Sequence, residues 1–241
     1  MLVFLTLRLF TVKINQDKIY CIGGVGLSVK ISPSVLTADF LELENAIKEL
    51  EAAGTDMLHL DVMDGIFVPN ISFGVPVIKS IKNHTSLPLD VHLMIDRPHR
   101  YIKQFAEVSD ILGFHYEAGS DVEETLKSIR DYGCKACLTI KPATAPEEIF
   151  KFLPLCDMVL VMSVEPGFGG QKFMPSALDK LSCLKSEIAR QGLSTELEVD
   201  GGINAETAPL AVNAGADVLV AGSFVFSSEN MKKTVAQIKS L

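Results

Sequence analysis

Met57-Leu58-His59-Leu60-Asp61-Val62-Met63-Asp64-Gly65 is the clearest strand in this chain of 241 residues, and its two faces differ. At a period of two, His59, Asp61 and Met63 point to one side and Leu58, Leu60 and Val62 to the other. A layer of helices would cover the second side. The first carries an imidazole, a carboxylate and a thioether, an odd set for a core, because a buried carboxylate is costly unless it is paired or holds a metal. His-x-Asp on one face sets two ligands about 6.5–7 Å apart at Cα, within reach of one ion. On this run alone, a wet strand end with two solvated polar residues explains the pattern equally well.

From Val29 onward, short apolar strands alternate with helical stretches, the pattern of parallel βα units. The spacing predicts strands at 29–31, 57–62, 89–93, 111–115, 135–140, 158–162, 196–199 and 218–221. Helices are predicted at 39–53, 76–82, 98–108, 121–132, 147–153, 176–191, 205–214 and 231–241. In the first helix Leu41, Leu43, Ala46, Ile47 and Leu50 form the stripe expected to be buried, and Gly54 ends it. Eight such units over roughly 210 residues fit a single-domain α/β fold, the (β/α)8 TIM barrel. An open doubly wound sheet would usually carry one Gly-rich phosphate loop after its first strand. Here the glycines fall after strands six, seven and eight.

Nearly half of the residues are hydrophobic and 22% are charged, so the chain can bury a large core. A net charge of −8 without a Lys/Arg-rich run argues against nucleic acid as the main partner, while leaving room for a local phosphate site. The five cysteines are Cys21, Cys134, Cys137, Cys156 and Cys183. Cys134-Lys-Ala-Cys137 is a CxxC without a second pair, at a helix end running into a strand, whereas a redox pair belongs at a helix N-terminus. Reduced thiols in a cytoplasmic protein are the expectation. The chain divides into an N-terminal extension, 1–28, and the barrel, 29–241. No apolar run in the extension reaches the roughly 18–20 residues of a membrane span, and no membrane partner is expected. A disposable leader, an unused upstream start and a real arm all remain open for it.

In a barrel, active-site residues gather at the C-terminal ends of the strands. Those ends are Ser34, His59 with Asp61, His92, His115, Met162 and Asp200. His92 alone reads as a hydrogen-bonded histidine, and Asp200 alone as a helix N-cap or turn residue. Together, His59, Asp61, His92 and Asp200 make an N2O2 set at one rim, which suits one divalent ion: Zn, Fe, Mn or Co. Gly167-Phe168-Gly169-Gly170, Gly201-Gly202 and Gly222-Ser223 close three successive strands, where backbone N–H groups can approach an anion. Met63, Met94 and Met162 lie at or just past strand ends and offer a non-nucleophilic lining. These parts describe a phosphorylated small molecule over a metal flanked by two carboxylates. Such a pair can take a proton from one face of a carbon and return one to the other. Lys141 is the one serious Schiff-base candidate, and nothing marks it as desolvated.

Several short motifs, in order, carry a family resemblance. They are Ser32-Pro33-Ser34-Val35-Leu36 with Ala38-Asp39-Phe40, His59 to Gly65, Phe67-Val68-Pro69-Asn70, Leu89 to Met94, Pro166 to Phe173 and Glu198 to Ile203. The chain resembles the ribulose-phosphate 3-epimerases over about residues 29–228. The resemblance implies interconversion of D-ribulose 5-phosphate and D-xylulose 5-phosphate in the pentose phosphate pathway, through a metal-stabilised enediolate. It implies Asp61 as proton acceptor and Asp200 as proton donor, with one metal on His59, Asp61, His92 and Asp200. It implies substrate contacts from Ser34, His92, Asp200, the three methionines and the Gly167–Gly170, Gly201, Gly202, Gly222 and Ser223 positions. A homo-oligomer, dimer or hexamer, is implied as well. His115 also matches and is given a structural or supporting role. Ile66 departs from the pattern, since many relatives carry a polar residue there, often His. A cousin acting on a ketohexose 6-phosphate and a barrel that binds a sugar phosphate without turning it over are the competing expectations.

Overall fold

The computed structural model describes residues 6–7, 10–15, 18–22 and 29–241. Strands β1 (Thr6–Leu7), β2 (Phe10–Asn15) and β3 (Lys18–Ile22) form an antiparallel sheet in the order β1-β2-β3. The open question about the role of the 1–28 extension falls largely outside the described residues.

Eight parallel strands follow: β4 (Lys30–Ile31), β5 (Leu58–Met63), β6 (Leu89–Met94) and β7 (Ile111–His115), then β8 (Lys135–Ile140), β9 (Met158–Met162), β10 (Glu196–Asp200) and β11 (Val218–Val220). Their order is β4-β11-β10-β9-β8-β7-β6-β5. The ring is completed where the chain past β4 meets β5. Asp56 N donates to Ile31 O at 3.1 Å, His59 N donates to Pro33 O at 3.1 Å, and Ser34 bridges His59 in parallel. The expected (β/α)8 barrel is therefore the observed fold, and three of its strands match their expected bounds residue for residue.

Alternation along the strands separates two environments. Leu58, Leu60 and Val62 of β5, with Leu89, Val91 and Leu93 of β6, are buried outward against the helices. Each such side chain contributes about 1.5–3 kcal/mol by leaving water. Inside the barrel, Ile111, Cys137, Met158, Leu160 and Val218, from β7, β8, β9 and β11, make a separate apolar cluster. β5, β6 and β10 carry buried polar residues into the interior.

Helix ends follow local chemistry. Asp121 caps Val122–Asp131 by accepting from Glu124 N at 2.9 Å, and Gly54 and Gly192 end Leu43–Ala53 and Ser176–Gln191 in the left-handed conformation. Some expectations need correcting. Residues 39–42 are not the start of the first helix. They form a separate 3-10 turn, Phe40–Glu42, capped by Asp39, and Leu41 stands 93% exposed instead of joining the buried stripe. The expected helix 98–108 is split into Pro98–Arg100 and Ile102–Ala106, because Tyr101 leaves helical geometry at φ −120°. The expected helix 147–153 is a 3-10 run, Pro146–Leu155, in which Pro154 lacks the N–H for a regular ladder. A short helix, Gly222–Phe226, follows β11 where only a turn was expected. Cys134, Cys137, Cys156 and Cys183 are free thiols. The side chain of Cys21 lies outside the described residues. Among the described residues, no helix is long and apolar enough to cross a membrane.

Candidate active site and metal centre

Three barrel strands each carry an inward polar pair two residues apart: His59/Asp61 on β5, Asp90/His92 on β6 and Glu198/Asp200 on β10. Strand register sets Asp61 beside His92 and His59 beside Asp90. Five of the six are buried, and Asp200 is half-buried at its strand end. Burying this many ionisable groups is tolerable only if they satisfy one another or a cation.

The contacts show how they do so. His59 Nδ1 lies 2.6 Å from Asp90 Oδ2, which leaves Nε2 facing inward, 3.3 Å from His92 Nδ1 and 3.4 Å from Asp61 Oδ1. His92 Nδ1 is 3.1 Å from Asp61 Oδ1, and its Nε2 is 2.9 Å from His115 Nε2. The other Asp61 oxygen, Oδ2, accepts from Ser34 Oγ at 2.6 Å. One ligand atom from each of His59, Asp61, His92 and Asp200 lies within 4.8 Å of the others. Asp90 accepts from His59 Nδ1, and the charges of Asp90 and Asp61 outweigh burial and hold the ring well above its ordinary value, so without an ion a proton on Nε2 bridges to Asp61. A divalent cation can take the place of that proton, and two nitrogens with two oxygens converging on one spot suit Zn, Mn, Fe or Co. The residues present fit the ion.

Protonation preferences split the carboxyls. Burial pushes Asp61 up, but the charge and hydrogen bond of His59 and the bond from His92 outweigh it and hold Asp61 well below the usual carboxylate range. Burial, with the Asp61 charge nearby, pushes Asp200 up to about 7. Burial also raises Glu198 well above its ordinary range, helped by the Asp90 charge. Burial drives His115 down to about 4, so its ring is neutral at pH 7.

Above this group opens a cleft, with about 540 Å³ of space that includes its open mouth. Asp61 and Asp200 are on its wall, with Ser34, Met63, Met94 and Met162. Gly167, Phe168, Gly169 and Gly170 line it after β9, Gly201 and Gly202 after β10, and Gly222 and Ser223 after β11. His59 and His92 lie beneath the cleft and are not part of its wall. Two glycines are required where they stand. Gly201 has φ +119°, and a Cβ there would meet Val164 at 2.5 Å. Gly202 has φ +64°, and a Cβ would run into the backbone N of Phe173. Asn70 Nδ2 donates to Gly167 O at 2.8 Å and ties the loop after β5 to the loop after β9.

The structure thus brings the sequence candidates to one end of the barrel. It also shows three partners that sequence reasoning did not single out. Asp90 supports His59, Glu198 lies 3.8 Å from His59 Nδ1, and Glu117 accepts from His115. The signal for Asp90 and Glu198 was present, since each stands two residues before a chosen residue on the same strand face.

A family model described as "Ribulose-phosphate 3 epimerase family" matches residues 30–226. The chain is 46% identical over 213 residues to the ribulose-phosphate 3-epimerase of Bacillus subtilis (strain 168), covering 88% of this chain and 98% of that protein. It is 46% identical over 211 residues to the Methanocaldococcus jannaschii protein of the same name, covering 88% and 90%. The Escherichia coli K12 protein of that name is 42% identical over 212 residues, covering 87% and 94%. Among solved structures, a mutant tryptophan synthase α-subunit from Pyrococcus furiosus superposes with a TM-score of 0.62 at 15% identity, covering 89% and 98% of the two chains. A 3-hexulose-6-phosphate synthase gives 0.61 at 15%, covering 89% and 99%. At those identities the two structures speak for the barrel fold alone.

Proposed function

The chain belongs to the ribulose-phosphate 3-epimerase family, and on that premise we propose that it interconverts D-ribulose 5-phosphate and D-xylulose 5-phosphate by two-carboxylate proton transfer at C3. The observation that carries the reading is the pair Asp61 and Asp200 on the wall of one cleft, over a four-residue N2O2 group. β5 and β10 are three strands apart around the closed ring, so the two carboxyls reach the cleft from different sides. Asp61 is the anion, aimed by Ser34, and takes the C3 proton of ribulose 5-phosphate. Asp200, whose buried carboxyl is pushed up to about 7 in the ion-free site, delivers a proton to the opposite face of C3. Exchange with solvent then returns both carboxyls to their starting states, and the roles swap in reverse. His59, Asp61, His92 and Asp200 would hold a divalent ion, which would supply Lewis-acid polarisation of the ketone and positive charge beside the developing enediolate. Met63, Met94 and Met162 surround the reacting carbons without offering a nucleophile. Backbone N–H groups of Gly201, Gly202, Gly222 and Ser223 hold the phosphate.

The partner in this reading is a small sugar phosphate rather than nucleic acid or a membrane, in keeping with the net charge of −8. It is a cytoplasmic homo-oligomer of the pentose phosphate pathway. The test is turnover of D-ribulose 5-phosphate by the purified protein, followed by NMR, before and after chelation. Formation of xylulose 5-phosphate that stops on chelation and returns with Zn²⁺, Mn²⁺, Fe²⁺ or Co²⁺ supports the reading. Turnover of a ketohexose 6-phosphate alone, or binding without turnover, would overturn it.

A further inference from the structure

His92 faces the cation group through Nδ1, so the state of that atom depends on what holds the other nitrogen. Nε2 lies 2.9 Å from His115 Nε2. Two ring nitrogens at that distance share one proton: one donates and the other accepts. His115 Nδ1 lies 3.3 Å from Glu117 Oε2, and a carboxylate only accepts. Nδ1 of His115 therefore carries the hydrogen, and its Nε2 presents a lone pair. The shared proton then sits on His92 Nε2, so that His92 Nδ1, 3.1 Å from Asp61 Oδ1, offers a lone pair to that spot when a cation rather than a proton holds the two together. His59 reaches the same state by a shorter route, through Asp90 at 2.6 Å.

The outer pair is itself fixed. Glu117 accepts from Lys141 N at 2.9 Å and from Thr144 Oγ1. The buried His115 ring packs between Phe67 and His92, with centroid distances of 4.8 and 4.9 Å. Neither His115 nor Glu117 is on the cleft wall or in the four-residue group.

We propose that His115 and Glu117 are positioning residues, a relay that holds His92 in the tautomer whose Nδ1 lone pair faces the cation. The inference rests on the metal reading above. Carboxylate partners of metal-ligating histidines typically account for 10–100-fold in metal affinity. Here a second imidazole stands between ligand and carboxylate.

The experiment is a Co²⁺ titration of the metal-free protein, read by visible absorption and by competition with a chelator. Wild type is expected to bind one ion per chain. His115→Phe keeps a ring but removes the acceptor, and should weaken binding by about 10–100-fold. His115→Gln can accept at one end and donate at the other, and should recover most of that loss. Glu117→Gln should fall between the two. The ¹⁵N shifts of the Zn²⁺-loaded wild type should report a proton on His92 Nε2 and on His115 Nδ1, and none on His115 Nε2. Unchanged Co²⁺ affinity in folded His115→Phe, or a proton on His115 Nε2 instead of Nδ1, overturns the relay. Should His115→Phe fail to fold, the ¹⁵N shifts and the partly exposed Glu117→Gln decide alone. Failure of wild type to bind Co²⁺ is seen before any variant is compared, and overturns the metal reading together with the relay.

Discussion

The β5–β7 side of the barrel mouth is built from side chains, and the β9–β11 side from glycine-rich loops. On the first side, Ser34, His59, Asp61, Asp90, His92 and His115 are joined by contacts of 2.6–3.3 Å, so each ring or carboxyl is held by its neighbour. On the second side, Asp200 stands among six glycines of the cleft wall. The first side fixes where charge and protons sit. The second fixes the shape of the cleft. Substitutions should therefore fail differently on the two sides: by lost chemistry on the first, and by lost fit on the second.

The largest effect is expected at Asp61. Asp61→Asn keeps the shape and removes the proton acceptor, and kcat should fall by roughly 10²–10⁴, the range for general acid–base catalysis. A steady-state assay in which Asp61→Asn kept kcat and raised only KM would erase the contrast. Next is Gly202→Ala, whose methyl meets the Phe173 backbone. Backbone strain of about 1–3 kcal/mol would appear as about a 10–100-fold loss in kcat/KM, carried mainly by KM. A pure kcat loss there would mean that the glycine side takes part in chemistry. Ser34→Ala removes one hydrogen bond to an ionised carboxylate, worth about 1.5–3 kcal/mol, and should cost about tenfold or more in kcat.

A pH experiment sharpens the same division. His115 is driven by burial down to about 4 from an ordinary value of 6.5. The unfolded chain takes up that proton between pH 6.5 and 4 while the folded chain does not, so wild type loses stability as pH falls through this window. His115→Gln lacks that loss. Its Tm should rise relative to wild type on going from pH 7 to pH 4.5 in metal-free protein, and a constant difference would contradict the burial argument. The smallest effect belongs to Ile66, which is 78% exposed. Ile66→Ser should change stability by less than about 0.5 kcal/mol, read as Tm.

The two sides also differed in how readable they were. His59 and Asp61 stood out because polar residues interrupt an apolar strand, and the glycine clusters because they follow three strands in turn. Asp90 and Glu198 show the same two-residue spacing, yet depth along the barrel axis decides whether such a residue is a ligand or its support, and sequence spacing carries no depth. The His92–His115 contact joins neighbouring strands through ring orientation, which periodicity does not encode. Leu41 misled for a local reason: its spacing continues the helix stripe, but the Asp39 cap turns the chain first. The helix Gly222–Phe226 is too short to show a helical period.

The most direct measurement is deuterium uptake at C3 from D-ribulose 5-phosphate in D₂O, followed by NMR for wild type, Asp61→Asn and Asp200→Asn. Wild type should label C3 and form xylulose 5-phosphate. Asp200→Asn should still label ribulose 5-phosphate, because Asp61 takes the proton and returns deuterium to the same face, yet form little xylulose 5-phosphate. Asp61→Asn should label almost none. Labelling that persists in Asp61→Asn, or xylulose 5-phosphate formed at the wild-type rate by Asp200→Asn, would contradict the division of labour between the two carboxylates.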